Sequence, residues 1–171
     1  PYIYFDDMIA GVGSDLEFTQ PQNFEELYRY CYRVASVVGL TITHIFGFRD
    51  AAALEMAEKC GIAFQITNIL RDVKEDWGNG RVYLPADALA AHGVRAADFG
   101  GATTPEAVRG LLGEYGARAR DYFAFSRPLI EAVERDSRGS LWALMEIYER
   151  LLRRIDAAGY RVLERRHAVP A

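Results

Sequence analysis

The chain of 171 residues is 50% hydrophobic and 26% charged, with 20 basic and 24 acidic residues and a formal net charge of -4 at pH 7. This composition is typical of a globular domain with one sizeable core, and it excludes disordered, collagen-like and low-complexity classes. Because acidic and basic residues are intermixed, no basic field favours nucleic acid as a partner. Any anion-binding site must therefore be local.

The two cysteines, Cys31 and Cys60, belong to no CxxC motif or Cys/His cluster. This pattern argues against a structural zinc site or a disulfide scaffold and suits a reducing cytosol. The longest charge-free apolar stretch, residues 34–48, is shorter than the roughly 18 to 20 residues that a membrane span needs. We therefore expect a cytoplasmic protein.

Two long helices are predicted in the first half of the chain. Asn23 with Glu26 three residues later forms a capping-box pattern, and apolar residues then recur at helical spacing to about residue 46, where Gly47 ends the helix. Asp50 is the expected N-cap of a second helix over about residues 51–77, closed by glycines at 78 and 80.

Beyond residue 80, glycines, prolines and serines divide the chain into further elements. These are a short helix between Pro85 and Gly93, a loop over 94–103, a helix from Pro105 to about residue 124, a short helical piece after Pro128, and a long helix from Ser137 or Ser140 to Gly159. Strand signals are scarce and no linker or repeat divides the chain. The sequence predicts a single all-α unit.

The second long helix carries a polar stripe. At about 100° per residue, Asn68, Asp72 and Asp76 fall about 60° before, 20° before and 20° after Gln65. Apolar residues flank the stripe on both sides, so it adjoins the core. Four polar groups on a largely apolar face are costly to bury without partners.

A hard cation would satisfy this stripe. Asp72 and Asp76 are about 6 Å apart along the helix axis, and magnesium prefers oxygen ligands that it shares with substrate phosphates. Asn68 can add an amide oxygen, and Arg71 and Arg81 are candidates for bidentate contacts to a diphosphate. Spacing alone leaves open the alternative that these acids form a solvated end of the helix.

The first long helix presents a phenol above an apolar wall. Tyr30 and Val34 lie on one stripe, with Val38 at its edge. Such a wall can line a hydrocarbon-binding pocket in which the Tyr30 hydroxyl is a polar handle or a proton-transfer group. Periodicity by itself favours the alternative of ordinary helix-helix packing.

Three segments of the chain carry long motifs: YCYRVASVVGL at residues 30–40, GIAFQITNILRDVKED at residues 61–76 and GRVYLP at residues 80–85. Together they resemble the ordered motifs of the squalene/phytoene synthase family. A weaker likeness continues at FDDMIAG over residues 5–11, at Asp15-Leu16, and over residues 148–165. The resemblance is specific because three long motifs occur in order at plausible spacings.

The resemblance implies an isoprenoid (terpenoid) synthase fold and an enzyme that joins two prenyl diphosphates, farnesyl or geranylgeranyl, head to head with Mg2+. The product would be squalene, dehydrosqualene, presqualene diphosphate or phytoene. Peripheral attachment to the membrane is an open option for release of such an apolar product. The sequence makes no prediction of prenyl chain length or oligomeric state.

The resemblance also implies a role for each candidate residue. Asn68, Asp72 and Asp76 would hold magnesium and diphosphate, Arg71 and Arg81 would contact phosphate oxygens, Gln65 would lie near the reacting carbons, Val34 and Val38 would line the prenyl tunnel, Tyr83 would bind substrate, and Tyr30 would match the catalytic tyrosine near the site of proton removal. On this view Tyr30, Asp72 and Asp76 are the catalytic residues.

Family members carry two acidic motifs on facing helices, and the first lies before the segment with which this chain begins. Asp6-Asp7 is not that motif, because its surroundings match the downstream segment and adjacent residues diverge by about 100° on a helix. We therefore expect residues 1–171 to be the C-terminal part of one isoprenoid synthase domain, an incomplete helical bundle without the first Asp-rich motif. This part alone is expected to be inactive.

Two other classes of function stay open at the level of sequence. One is a different enzyme of the same fold, either a terpene cyclase or a chain-elongating prenyltransferase. The other is a non-catalytic helical partner protein that keeps the fold without a complete site.

Overall fold

The computed structural model describes residues 1–168, and this part of the chain is helical, as predicted. Its only extended pairing is an isolated antiparallel bridge between Phe48 and Val133. Eight α-helices lie within the described residues: α1 (Ile3–Ser14), α2 (Phe24–Cys31), α3 (Val37–Phe46), α4 (Ala52–Gly78), α5 (Ala86–Ala91), α6 (Glu106–Ser126), α7 (Leu129–Ala132) and α8 (Arg138–Ala157). A π-helical turn, Tyr32–Ser36, joins α2 to α3, and 3-10 turns occupy Ala96–Gly100 and Arg135–Ser137.

The start of α2 confirms the predicted cap. Asn23 Oδ1 accepts a hydrogen bond from the Glu26 amide at 3.0 Å, which satisfies one of the free N–H groups of the first turn. Glu26 reaches back to the amide of Gln22, at 2.7 Å, rather than to that of Asn23. The helix is therefore capped one residue further out than a standard capping box.

The predicted first long helix is interrupted by a π turn. An extra residue is accommodated at Tyr32–Ser36, so the faces of α2 and α3 are rotated relative to a continuous α-helix. The turn packs against α4, where a Cβ added to Gly61 would lie 2.4 Å from Ser36 Cα. The Ser36 hydroxyl donates to the Glu58 carbonyl at 2.7 Å. Only a glycine allows α4 to approach this backbone so closely.

Two elements differ from the sequence prediction. The N-terminal residues form α1, which the apolar pattern did not define as a helix. The expected loop over 94–103 contains a 3-10 turn, because Phe99 is fully buried there and the Trp77 ring covers Gly100. Burial of the Phe99 ring and the contact of the Trp77 ring with Gly100 order a segment that local propensity leaves irregular.

Helix α4 is the centre of the packing. It contacts α6 most extensively and also packs on the π turn, α3 and α8. Two buried apolar clusters share it, one around α6 and the other around α3, α7 and α8. The polar stripe of α4 is therefore held on the longest and most enclosed helix of the described chain.

The segment after α8 turns back across α4. Lys74 Nζ donates to the Leu163 carbonyl at 2.7 Å, and the Leu163 amide donates to Thr104 Oγ1 at 3.2 Å. Val162 and Leu163 are buried against the core. This return brings Arg166 over the polar stripe. None of the described helices is long and apolar enough to cross a membrane.

Candidate active site

The four polar side chains of the α4 stripe lie between solvent and core. Gln65, Asn68, Asp72 and Asp76 are each partly buried. Gln65 and Asn68 line a cavity of about 280 Å³ whose remaining wall is largely apolar. The other lining residues are Val34, Ala35, Val38, Gly39, Ile42, Thr43, Ala57, Cys60, Gly61, Phe64, Leu129, Leu141, Leu144 and Tyr148.

The structure thus brings both predicted tunnel residues, Val34 and Val38, to the same cavity as Gln65 and Asn68. Aromatic packing of Phe64 on Tyr148, with ring centroids 4.1 Å apart, closes one side of it. Apolar groups form most of this wall, while amide groups of α4 form part of its rim. The arrangement suits a ligand with a hydrocarbon part and a polar end.

Asp72 is held by two guanidinium groups. Arg71 Nε donates to Asp72 Oδ1 at 2.8 Å while its Nη2 contacts Oδ2, and Arg166 Nη2 lies 2.9 Å from Oδ1. Burial acts to raise the pKa of Asp72, but the two arginines outweigh it and hold that pKa below its usual range. Asp72 is therefore ionised at neutral pH.

Arg166 is a site residue that the sequence analysis did not single out. It also reaches Glu75, at 3.3 Å, and so links two carboxylates of α4. Because it lies 94 residues from Asp72 in the chain, no local spacing could have indicated the contact. Its position follows from the return of the chain after α8.

Asp76 lies in the opposite electrostatic environment. Burial and the neighbouring carboxylates of Asp72 and Glu75 raise its pKa to about 6, with Arg81 acting in the other direction. One turn before Asp72, Asn68 Oδ1 is buried without a hydrogen-bond partner. This face of α4 therefore presents carboxylate and amide oxygens that can ligate a metal, and its negative charge is only partly balanced by protein groups.

These oxygen atoms fit a hard divalent cation as ligands. Magnesium is commonly held by one or two carboxylates together with water and substrate phosphates, so a full protein cage is not required. Asn68, Asp72 and Asp76 are the residues that would hold it. Within residues 1–168, no three His, Cys, Asp or Glu side chains come close enough to form a metal cluster by themselves.

Tyr30 and Tyr83 meet in a second group of polar residues beside the stripe. Their rings stack with centroids 4.9 Å apart and an interplanar angle of 25°. The Tyr83 hydroxyl donates to Asp15 Oδ1 at 3.0 Å, and the Tyr30 hydroxyl donates to Asp15 Oδ2 at 3.3 Å. Arg81 Nη2 donates to the Asp15 carbonyl at 2.9 Å.

Burial, followed by the neighbouring Tyr83 and Asp15, raises the pKa of Tyr30 well above that of a free tyrosine. The phenol is therefore protonated at neutral pH and donates its proton in a hydrogen bond. The amide of Arg81 donates to the Asp76 carbonyl at 2.8 Å, which ties this group to the end of the stripe. Tyr30 itself borders a separate cavity of about 220 Å³.

Asp15 is a site residue to which the sequence assigns no role, since it belongs only to a segment of weak likeness. A single carboxylate after a short helix carries no spacing signal. Only the tertiary fold shows that it meets Tyr30, Tyr83 and Arg81, which come from two different parts of the sequence.

Comparison with known proteins identifies the family of the chain. The family model "Squalene/phytoene synthase" matches residues 1–171. The chain therefore belongs to the squalene/phytoene synthase family.

Curated relatives and solved structures agree with this assignment. The chain is 38% identical to phytoene synthase 3, chloroplastic, of Zea mays, with 97% of the chain and 40% of the relative covered. It is 39% identical to 15-cis-phytoene synthase of Synechocystis sp., with 97% and 53% covered. The chain thus spans about half the length, or less, of these curated relatives.

Among solved structures, a dehydrosqualene synthase in complex with ligand superimposes with a TM-score of 0.88 at 31% identity. The match covers 94% of this chain and 56% of that one. The predicted isoprenoid synthase fold is thereby confirmed. The predicted boundaries of the domain stay a prediction.

Proposed function

We propose that the intact protein, meaning the complete protein of which residues 1–171 are expected to form the C-terminal part, condenses two prenyl diphosphates, farnesyl or geranylgeranyl, head to head. The product would be squalene, dehydrosqualene, presqualene diphosphate or phytoene. The observation that carries the proposal is the junction at Gln65 and Asn68, where an apolar cavity meets the oxygen-rich face of α4. Membership of a family whose relatives are named phytoene and dehydrosqualene synthases supports it.

The diphosphate end of a substrate would bind along the stripe. Asn68, Asp72 and Asp76 would present oxygen ligands, while Arg71 and Arg81 would donate to phosphate oxygens. Bound magnesium would supply charge stabilisation to the departing diphosphate. For Arg71 this role requires that part of its guanidinium turn from Asp72 toward the phosphate.

The prenyl chain would occupy the cavity beside Val34 and Val38. Apolar walls exclude water from an allylic cation, which water would otherwise quench. Gln65 would lie near the reacting carbons. Tyr30 and Tyr83 would face the diphosphate end, with the Tyr30 hydroxyl near the site of proton removal.

We further propose that the 171-residue chain alone does not turn over substrate. Asn68, Asp72 and Asp76 all lie on α4, whereas the family resemblance implies a second acidic motif on a facing helix. Carboxylates from one helix alone would not assemble the cations that a diphosphate leaving group needs. Purified chain supplied with prenyl diphosphate and magnesium is expected to form no product. Robust product formation would refute this proposal.

The proposed location is the cytoplasm, with peripheral attachment to the membrane for release of an apolar product. In support, Cys31 and Cys60 are both free and buried. Burial raises the pKa of the Cys60 thiol to about 12, so it stays an unreactive core group.

Product analysis separates this proposal from its rivals. Intact protein is incubated with one labelled prenyl diphosphate and magnesium, and the products are identified by mass spectrometry. A symmetric or cyclopropyl product built from two identical substrates is expected. A longer linear diphosphate would indicate a chain-elongating enzyme, and a cyclic product from one substrate would indicate a terpene cyclase.

A non-catalytic partner protein is the remaining alternative. It would give no product, and it would fail to retain a diphosphate analogue in a magnesium-dependent manner. Both results together would overturn the proposed function.

A further inference from the structure

We propose that Asp15 is a positioning residue of the candidate site, fixing the hydroxyl directions of Tyr30 and Tyr83 and the approach of Arg81. The inference rests on the proposed function for its kinetic consequence and on geometry alone for its structural one. Asp15 follows α1 directly, and this partly buried residue lies beside the hydroxyl groups of the two phenols.

The two oxygens of the carboxylate serve different donors. Oδ1 accepts from Tyr83 at 3.0 Å and Oδ2 accepts from Tyr30 at 3.3 Å. A carboxylate accepts at several lone pairs, whereas an asparagine has one acceptor oxygen and a donating amide. Ionised acceptors also make stronger hydrogen bonds than neutral ones. Asp15 is therefore suited to holding both hydroxyls at once.

The main chain of Asp15 adds a third contact. Its carbonyl accepts from Arg81 Nη2 at 2.9 Å, which directs the guanidinium from the segment after α4 toward the tyrosine pair. Arg81 is a proposed phosphate contact and follows Asp76 closely in the chain. One residue thus links the end of α1 to α2, where Tyr30 lies, and to the segment that carries Arg81 and Tyr83.

Stacking of Tyr30 on Tyr83 fixes the ring planes but leaves the direction of each hydroxyl proton free. Only an acceptor can select that direction. Among the hydrogen bonds of the described residues, Asp15 provides the acceptor for both hydroxyls. Edge-to-face packing of Phe18 on Tyr83, with centroids 5.1 Å apart, closes the outer side of the pair.

The first test is spectroscopic and does not require turnover. Intact protein carries an isotope label at tyrosine Cζ, and the Tyr30 and Tyr83 resonances are assigned from Tyr30→Phe and Tyr83→Phe variants. Asp15→Asn is expected to move at least one of the two resonances, and Asp15→Ala both. Glu17→Gln is the matched control, because it removes one exposed carboxylate two residues away that, among the described residues, forms no hydrogen bond to either phenol.

Unmoved resonances in Asp15→Asn would overturn the proposal, as would equal shifts in the Glu17→Gln control. Should Asp15→Ala fail to fold, the nearly isosteric Asp15→Asn variant still decides the question. Circular dichroism of each variant checks that the helices are retained.

The second test is kinetic. Asp15→Asn is expected to lower kcat about tenfold, equivalent to about 1.4 kcal/mol of transition-state stabilisation, with KM changed less than about twofold. In a double-mutant cycle, Asp15→Asn should cost little more once Tyr30→Phe is present, because Asp15 acts through the Tyr30 hydroxyl. Additive losses would contradict the positioning role.

The two proposals fail in distinguishable ways. Complete inactivity of the intact protein toward prenyl diphosphates would refute the proposed function, and the tyrosine resonances would still decide the role of Asp15. If the intact protein forms the expected product but the tyrosine resonances do not move in Asp15→Asn, the role of Asp15 is refuted and the proposed function stays in place.

Discussion

Asp72 and Asp76 are one helical turn apart, yet their carboxyl groups experience opposite electrostatic environments. Arg71 and Arg166 hold the pKa of Asp72 below its usual range, whereas burial and neighbouring carboxylates raise that of Asp76 to about 6. Spacing on a helix predicts that both side chains share a face. The difference between them depends on Arg71 and on Arg166, and sequence periodicity does not reveal the contact with Arg166.

Replacing Asn68 tests whether its side chain serves ligand binding rather than the stability of the fold. Its buried Oδ1 has no partner, so replacing it with an apolar group of similar shape removes a desolvation cost. We expect Asn68→Leu to leave the free energy of unfolding unchanged or to raise it by about 1 kcal/mol. Magnesium-dependent binding of a diphosphate analogue should fall in the same variant.

The neighbouring Thr67 is the control for that prediction. Its buried hydroxyl donates to the Ala63 carbonyl at 2.7 Å, so Thr67→Val loses a satisfied hydrogen bond and should cost about 1 kcal/mol. Urea denaturation measures both variants. An equal loss of stability in Asn68→Leu would contradict the account of Asn68 as an unpaired ligand group.

His167 predicts how stability depends on pH. It is only 2% exposed, and burial, with Arg165 and Arg154 nearby, lowers its pKa below the usual value. His167 in the unfolded chain therefore binds a proton more readily than in the folded one. The contribution of neutral His167 to the free energy of unfolding is complete above about pH 6.5 and is lost as the pH falls. We expect His167→Gln to flatten that loss.

Urea unfolding at about pH 7.5 and pH 5 checks the prediction, since the window brackets the ordinary histidine pKa. His44→Gln is the control, because His44 is exposed. Equal flattening in the two variants would contradict a specific contribution from His167.

At the scale of elements, sequence patterns located the long helices well. The second predicted helix, over about residues 51–77, is observed as Ala52–Gly78. Its ends are set locally. At the start, Asp50 Oδ1 accepts a hydrogen bond from the Ala52 amide at 2.9 Å, and glycines follow at the other end. The π turn at Tyr32–Ser36 escaped prediction because it depends on the close approach of α4 at Gly61.

Gly61 therefore tests how the crossing of α4 and the π turn is held. A Cβ at this position would meet Ser36 backbone atoms at 2.4 and 2.7 Å, and backbone cannot move aside as a flexible side chain can. We expect Gly61→Ala to lower the free energy of unfolding by about 1–3 kcal/mol. It should also displace Val34 from the cavity wall.

Gly13→Ala is the matched control, because a Cβ there has no neighbour within 4 Å. Alanine in an open helical position is expected to stabilise by up to about 1 kcal/mol. Chemical denaturation of the two variants gives the comparison. A Gly61→Ala variant as stable as Gly13→Ala would show that the crossing is not tightly constrained.

At the scale of the whole molecule, the candidate site depends on contacts between distant parts of the chain. The return of residues 160–168 across α4 brings Arg166 to Asp72, and the end of α1 brings Asp15 to Tyr30. The helical class, the α4 stripe and the family were readable from sequence because they depend on local pattern and motif. The ion pair of Asp72 with Arg166 was not, because it forms only when the chain after α8 packs across α4.

The most direct measurement of the central claim is the magnesium-dependent turnover of prenyl diphosphate by intact protein carrying Asp72→Asn. We expect turnover to fall at least about a hundredfold, because a group that stabilises developing charge is lost. Glu55→Gln, which removes an exposed carboxylate at the opposite end of α4, is expected to retain activity. Full activity in Asp72→Asn would contradict the assignment of the α4 stripe as the diphosphate and metal site.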